Sequence, residues 1–297
     1  MTKNLISWRK MKDIVRLFRL KHYIKNILVF VPLVFMGSGM SMRKIMHSAA
    51  GFLAFCLISS CIYIINAARD IEEDRLHPTK RNRPMASGAV SLRSGILCAI
   101  VCFAAAIGSM IYLVFFCGGD VLALGWLLLY FVLNLAYSFW FKNIPIIDII
   151  ILMSGFLIRI LFGAVIAGTF VSSWLYLTVM SGAFYFALGK RRNEITNTED
   201  VGSTRKVLKV YSHSFLDKFM YVSLAMANIF YALWAKEYPK KYMILTVPLV
   251  VIICMQYSLD VEGNSDGDPV EVVLRDRKLM IFCLFLIVAM SAILFAL

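Results

Sequence analysis

The segment NAARDIEEDRLHPTKRNRP, residues 66–84, sets four carboxylates and five Lys/Arg side chains between two apolar stretches. A helix continued past Ile65 brings Asn66, Asp70 and Asp74 onto one face at spacings i, i+4 and i+8. Glu73 lies beside that face and Glu72 points away from it. Two carboxylates stacked in this way repel each other unless something positive joins them. Mg²⁺ is a natural partner, because it takes one or two carboxylates, several waters and substrate phosphate oxygens. Asp70 and Asp74 would then act through a bound diphosphate. A solvated charged turn with Asp/Arg pairs is the open alternative. Pro78 and Pro84 stop the helix, and Lys80, Arg81 and Arg83 stand close together between them. Guanidinium forks bind phosphate through two parallel hydrogen bonds. Membrane topology alone accounts for a basic loop but not for the acids beside it, since Asp and Glu contribute little to orientation.

A second charged junction, GKRRNEITNTED (189–200), has the opposite character. Lys190 and Glu194 are i, i+4 neighbours and Arg191 is adjacent, so this patch suits bare phosphate. A third, EGNSDGDPVEVVLRDRKL (262–279), opens with Gly, Asp and Ser and continues into a short helix carrying Glu271, Arg275 and Asp276. It reads as a loop whose helix borders the site, with a lid as the alternative. Lys21, Lys25, Asn26, Tyr137 and Lys142 stand near the same side. Asp148 and Arg159 fall inside one apolar stretch, eleven residues or ~16 Å apart along a helix, too far to pair. Arg159 therefore calls for a carboxylate on a neighbouring helix or a substrate phosphate. The four histidines have no metal-ligand spacing.

The elements that position these residues are membrane helices. The chain has 297 residues, 60% of them hydrophobic and 16% charged, with a mean hydropathy of +0.76, which excludes an ordinary soluble domain. Apolar runs of spanning length fall at 24–38, 47–66, 92–116, 121–140, 146–168, 172–189, 216–235, 242–259 and 279–297. Their continuity excludes a transmembrane barrel, whose strands are short and alternate. The fold class is all-α, with nine spans and a single membrane domain over 24–297. The basic segment 1–23 is expected to be retained and to lie on the membrane surface. With its start inside, the inner segments hold 25 of the 31 Lys/Arg, so the charged junctions face the cytoplasm across the inner (plasma) membrane. The seven cysteines lie in or at the ends of apolar runs without zinc-site spacing and are expected to be free thiols. No nucleic-acid partner is expected, and a homo-oligomer is left open.

The ordered residues Asn66, Asp70, Asp74, Arg81, Pro84, Ser87 and Gly88 resemble the motif of the UbiA-type prenyltransferase superfamily. That likeness implies nine helices around a central cavity, with Mg²⁺ and a diphosphate held at its cytoplasmic mouth. From about Arg16 to Asp276 the chain is similar to the decaprenyl-phosphate phosphoribosyltransferase branch. The stretches that carry this are KHYIKNILVFVPL, DRLHPTKRNRPMASG, YSFWFKNIPIIDIIILMSGFLIRILFGAVIAG, SSWLYL…ALGKRRNE and DPVEVVLRDR. The resemblance implies transfer of 5-phosphoribose from 5-phosphoribosyl 1-diphosphate to a polyprenyl phosphate. Asn66, Asp70 and Asp74 would hold the metal, and Asp70, Asp74, Lys190 and Arg191 would be the first catalytic candidates. Lys25, Asn26, Arg81, Arg83, Lys142 and Arg159 would contact substrate phosphates, while Tyr137 and Glu194 would reach the ribose or orient a cation. Aromatic prenyltransferases of the superfamily resemble one another in a second acidic cluster after span six, where this chain has KRRNE. The family pattern also reads N-D-x-x-D-x-x-x-D, and Ala67 stands in place of its first Asp. That loss bears on metal affinity, on donor choice, or on nothing if the acid is not itself a metal ligand. The rival readings are an aromatic-acceptor prenyltransferase and a non-catalytic lipid or ion carrier.

Overall fold

The computed structural model describes residues 12–76, 80–196, 206–263 and 267–295, and every regular element among them is helical. Eight long helices follow one another: α1 (Met42–Arg69), α2 (Leu92–Phe116), α3 (Val121–Phe139), α4 (Ile147–Ala167), α5 (Ser173–Thr196), α6 (His213–Glu237), α7 (Val247–Glu262) and α8 (Arg277–Phe295). Six of them, α1 to α4, α7 and α8, are long and apolar enough to cross a membrane, α7 counted with the 3-10 turn Lys241–Thr246 that leads into it. α5 and α6, of 24 and 25 residues, are also of spanning length, but charged side chains enter their ends and dilute their apolarity.

The local sequence accounts for where several of these helices begin. Ser41, Ser91, Asp120 and Ser212 each sit in extended backbone and accept a hydrogen bond from an amide in the first turn of α1, α2, α3 and α6, as N-caps do. Pro248 occupies the first turn of α7, where its missing N–H costs nothing. α4 ends on Gly168 in the left-handed region, at φ 62°.

The first apolar run departs from the expected spanning helix. It is a 3-10 helix over Leu20–Phe30, a single α-turn at Val31–Val34 and a further 3-10 turn at Gly37–Gly39. Packing explains the tight winding: this lead segment presses its backbone onto α4. At Gly163 a Cβ atom would run into the Val29 carbonyl oxygen. Pro32 removes one donor, and Gly37, at φ 55°, turns the chain away.

α4 is the central element. Of its most apolar window 67% is buried, and for α1 61%, against 28% or less for α2, α3, α7 and α8. One core joins the lead segment to α1 through α4 around Val29, Phe55, Ile58, Met110, Leu127 and Phe162. A second joins α4 to the later helices around Ile149, Leu188, Leu208, Leu216, Val261 and Leu279. Phe115, Phe116, Leu122, Ile281, Leu284 and Phe285 are exposed, the pattern of a surface that meets lipid. All seven cysteines are free.

The close approach at Gly163 yields a prediction. Gly163→Val should separate the lead segment from α4 and cost about 1–3 kcal/mol through overpacking, seen as a lower unfolding temperature in detergent. Wild-type stability would mean that the two backbones do not touch there.

Candidate active site

The acidic face forms where α1 ends. Asp70 caps α1 and its amide donates to the Asn66 carbonyl at 3.0 Å; four residues on, the Asp74 amide donates to the Asp70 carbonyl at 2.8 Å. The i to i+4 ladder thus carries over into the short helix Ile71–Leu76, and the three residues keep a common face. The Asn66 Oδ1 atom is buried and has no hydrogen-bond partner.

Each carboxylate carries its own cation, a feature the helical spacing alone does not show. Arg83 donates from Nη1 to both Asp74 oxygens, at 3.0 and 2.8 Å, and the Asp74 side chain is only 6% exposed. Lys142, on a 3-10 turn that follows α3, stands 3.5 Å from Asp70. Arg81 is exposed on the turn Lys80–Asn82. Ala67 is buried among Leu17, Cys61, Ile64 and Met85.

At the second junction the two basic residues part company. Arg191 is fully buried. Its Nε donates to Asp148 at 2.6 Å, Nη1 to Glu194 at 2.5 Å and Nη2 to the Tyr137 hydroxyl at 2.8 Å. Tyr211 donates to the other Asp148 oxygen at 2.6 Å and accepts from the Ile146 amide at 2.6 Å. Ile146 has φ 70°, a strained conformation for a β-branched residue, and this hydrogen bond helps to hold it. Burial first, and the bond to Asp148 second, raise the Tyr211 pKa, so the phenol keeps its proton.

Lys190, half-buried, lies beside a different pair. Lys25 on the lead segment donates to Asp268 at 2.7 Å. Burial would push the Asp268 carboxyl up, yet Lys25 and then Lys190 hold it below the usual carboxylate range. Gly267, at φ 69°, lies against the backbone of Gly189 and Lys190, where a Cβ would come within 2.9 Å of the Lys190 Cα. Asp268 also caps the short helix Pro269–Arg275.

Arg159 and Asn26 sit deeper. Arg159 Nε donates to Asn26 Oδ1, Nη1 to the Gly155 carbonyl and Nη2 to the Tyr130 hydroxyl, at 2.6–2.8 Å. The guanidinium also stacks over Phe55 and Tyr130. Its partners are neutral groups, where the sequence called for a carboxylate or phosphate. An intramembrane cation can be met by amide, carbonyl and phenol oxygens from three directions, and no spacing rule reveals that.

The end of α3 joins the two junctions, because Tyr137 contacts Arg191 and Lys142 contacts Asp70. Tyr211 and Asp268 belong to this site as well, and sequence reasoning did not place them in it. Asp268 lies within DPVEVVLRDR, so a signal was present; Tyr211 has none, since it reaches Asp148 from 63 residues away. His77, residues 1–11, the 197–200 end of the second junction and 264–266 of the third lie outside the described residues.

A profile of the UbiA prenyltransferase family matches residues 28–273. The chain is 34% identical over 282 residues to the decaprenyl-phosphate phosphoribosyltransferase of Corynebacterium glutamicum, covering 91% of this chain and 83% of that one. It is 33% identical to the enzyme of the same name from Mycolicibacterium smegmatis, covering 95% and 91%. In structure it is similar to a UbiA homologue from Archaeoglobus fulgidus solved with GPP and Mg²⁺. The TM-score is 0.72 at 19% identity, over 95% of this chain and 99% of that one.

The buried pair sets an expectation for stability. Asp148→Ala leaves the Arg191 charge without its closest carboxylate and should cost about 3–5 kcal/mol. Tyr211→Phe removes one buried hydrogen bond and should cost about 1–3 kcal/mol. Thermal unfolding in detergent reads both, and equal, small losses would show that Asp148 does not hold Arg191.

Proposed function

This chain belongs to the UbiA prenyltransferase family, and from that premise we propose that it is a membrane phosphoribosyltransferase. It moves 5-phosphoribose from 5-phosphoribosyl 1-diphosphate to a polyprenyl phosphate and releases diphosphate. The observation that carries this reading is the opposite chemistry of two junctions joined by the end of α3: carboxylates at Asp70 and Asp74, cations at Lys190 and Lys25. A phenolic or quinoid acceptor carries no phosphate for the second patch to hold, whereas a ribose phosphate and a lipid phosphate do. We further read the eight long helices and the lead segment as nine spans of one domain over 24–297, preceded by a basic surface segment. The Lys/Arg asymmetry supports a plasma-membrane orientation with the site facing the cytoplasm.

The donor set fits Mg²⁺. Asn66 offers an unpartnered buried oxygen, Asp70 is held only loosely by Lys142, and Asp74 can contribute once Arg83 yields one of its oxygens. No group of three or more His, Cys, Asp and Glu is placed to hold a metal ion by itself among the described residues, so water and substrate phosphate would have to complete the shell of an ion bound at Asp70 and Asp74. When bound, the ion supplies charge neutralisation to the leaving diphosphate. Lys142 and Arg83 flank the same face and add positive charge to it. Lys190 and Lys25 orient the phosphates of donor and acceptor, Asp268 keeping the two ammonium groups together. One oxygen of the lipid phosphate bonds to the anomeric carbon as the bond from that carbon to the diphosphate oxygen breaks. A phosphate monoester is already an oxyanion at neutral pH, so positioning and electrostatics carry the reaction. Arg191 acts through Asp148, Tyr137 and Glu194 as a positioning residue.

The protein incubated with Mg²⁺, radiolabelled 5-phosphoribosyl 1-diphosphate and a polyprenyl phosphate should yield labelled lipid. Asp70→Asn and Lys190→Ala should each lower the rate by about 10²–10³-fold, as loss of a charge-stabilising group does, with unfolding temperature unchanged. No labelled lipid, together with product from a prenyl diphosphate and an aromatic acid, would overturn the assignment.

A further inference from the structure

A cavity of about 40 Å³ opens between the N-terminal segment and the turn at 83–86. Its wall carries Arg16, Arg19 and Arg83, one carboxylate, Asp74, and the methyl of Ala67. Arg83 answers Asp74 directly. Arg16 reaches Asp13 at 3.5 Å across an exposed helical turn, a contact that holds a side chain weakly in water. Arg19 makes no ion pair with a carboxylate among the described residues. It stands over the Tyr63 ring at 5.1 Å, on a backbone held in the left-handed region at φ 50°. Burial first, and repulsion from Arg83 second, lower its pKa, and the more weakly acting Tyr63, Asp74 and Asp70 do not offset them. Three guanidinium groups thus share a partly dry cavity with one carboxylate, and Ala67 brings no charge to it.

We propose that this cavity is a phosphate-binding site, adjoining the acidic junction through the Asp74–Arg83 pair and separate in its lining from the Lys25–Lys190 patch. A phosphate group supplies the negative charge that the wall lacks, with oxygens spaced for guanidinium forks. Val15, Leu20, Ile24 and Ile27 are exposed along the same N-terminal stretch, so a phospholipid headgroup can enter with its chains beside them. A soluble phosphate ester offers the same chemistry without the chains. Arg83 is common to the cavity and to Asp74, which its Nη1 alone engages, so a phosphate bound there competes with the carboxylate for the guanidinium.

Binding, not turnover, tests the site, so the result is independent of the transfer reaction. Inorganic phosphate is titrated calorimetrically into the full chain in neutral detergent, in a Lys25→Ala/Lys190→Ala background that removes the other patch. Arg16→Gln/Arg19→Gln should weaken the remaining binding at least fivefold, and Arg19→Lys, which keeps the charge but not the fork, should weaken it less. If the double variant fails to fold, Arg16→Glu, which puts a carboxylate on the wall at an exposed side chain, should produce the same loss. In nanodiscs of phosphatidylcholine with phosphatidylglycerol, native mass spectrometry then identifies the source. Fewer retained phosphatidylglycerol molecules in the variant mark a lipid headgroup; unchanged lipid with weakened phosphate binding marks a soluble ester. Phosphate affinity and retained lipid both equal to wild type in the variants would overturn the proposal.

Discussion

A guanidinium removed entirely from water must be met by charge and by hydrogen bonds, and in this protein Arg191 is that group. Asp148 of α4, Tyr137 of α3 and Glu194 of α5 take its three nitrogens, and Tyr211 takes the second Asp148 oxygen. Breaking such an arrangement leaves a bare buried charge, so α3, α4, α5 and the 206–212 connection are fixed relative to one another at one end of the bundle. The strained Ile146 backbone is held through Tyr211 by the same network. Adjacent residues on a helix project about 100° apart. Burying Arg191 in the interior therefore leaves Lys190 on another side of α5, near Asp268 at the start of the helix Pro269–Arg275 and its partner Lys25 on the lead segment.

The charge layout around this anchor suits anions that arrive with a metal. Asp70 and Asp74 have protein cations beside them, so the acidic face is stable before anything binds. In the proposed transfer the same Lys142 and Arg83 would stand beside a highly charged leaving group. On the other rim Asp268 pairs with Lys25 in the field of Lys190, and the two lysines hold its carboxyl below the usual carboxylate range. Electrostatic groups set in place beforehand cost no reorganisation when charge moves in the transition state. The apolar walls of α1 and α4 strengthen these interactions by keeping the dielectric low.

Much of this was legible in the sequence wherever the signal was local. Helix type and the positions of the long helices follow from continuous apolar runs, and the shared face of Asn66, Asp70 and Asp74 follows from spacing. The charged junctions stood out as breaks in hydropathy. What the sequence could not express was which distant side chains meet. Lys142 on Asp70, Tyr211 on Asp148 and Lys25 on Asp268 are contacts across 72, 63 and 243 residues. Arg191 and Lys190 look interchangeable in a string, yet one is an internal strut and the other borders the open site. The lead segment has the apolar composition of an ordinary span, and composition carries no sign of its tighter winding. Its 3-10 winding is imposed by the bare backbone of Gly163 on a neighbouring helix.

The central claim is that one substrate is held between an acidic rim and a cationic rim, and the structure of the protein with 5-phosphoribosyl 1-diphosphate and Mg²⁺ bound tests it most directly. The diphosphate should lie against Asn66, Asp70 and Asp74, with the ribose 5-phosphate directed to Lys190 and no substrate atom touching the Arg191 guanidinium. A donor bound with its 5-phosphate away from Lys190, or with Arg191 drawn out of its pair to meet it, would contradict the account.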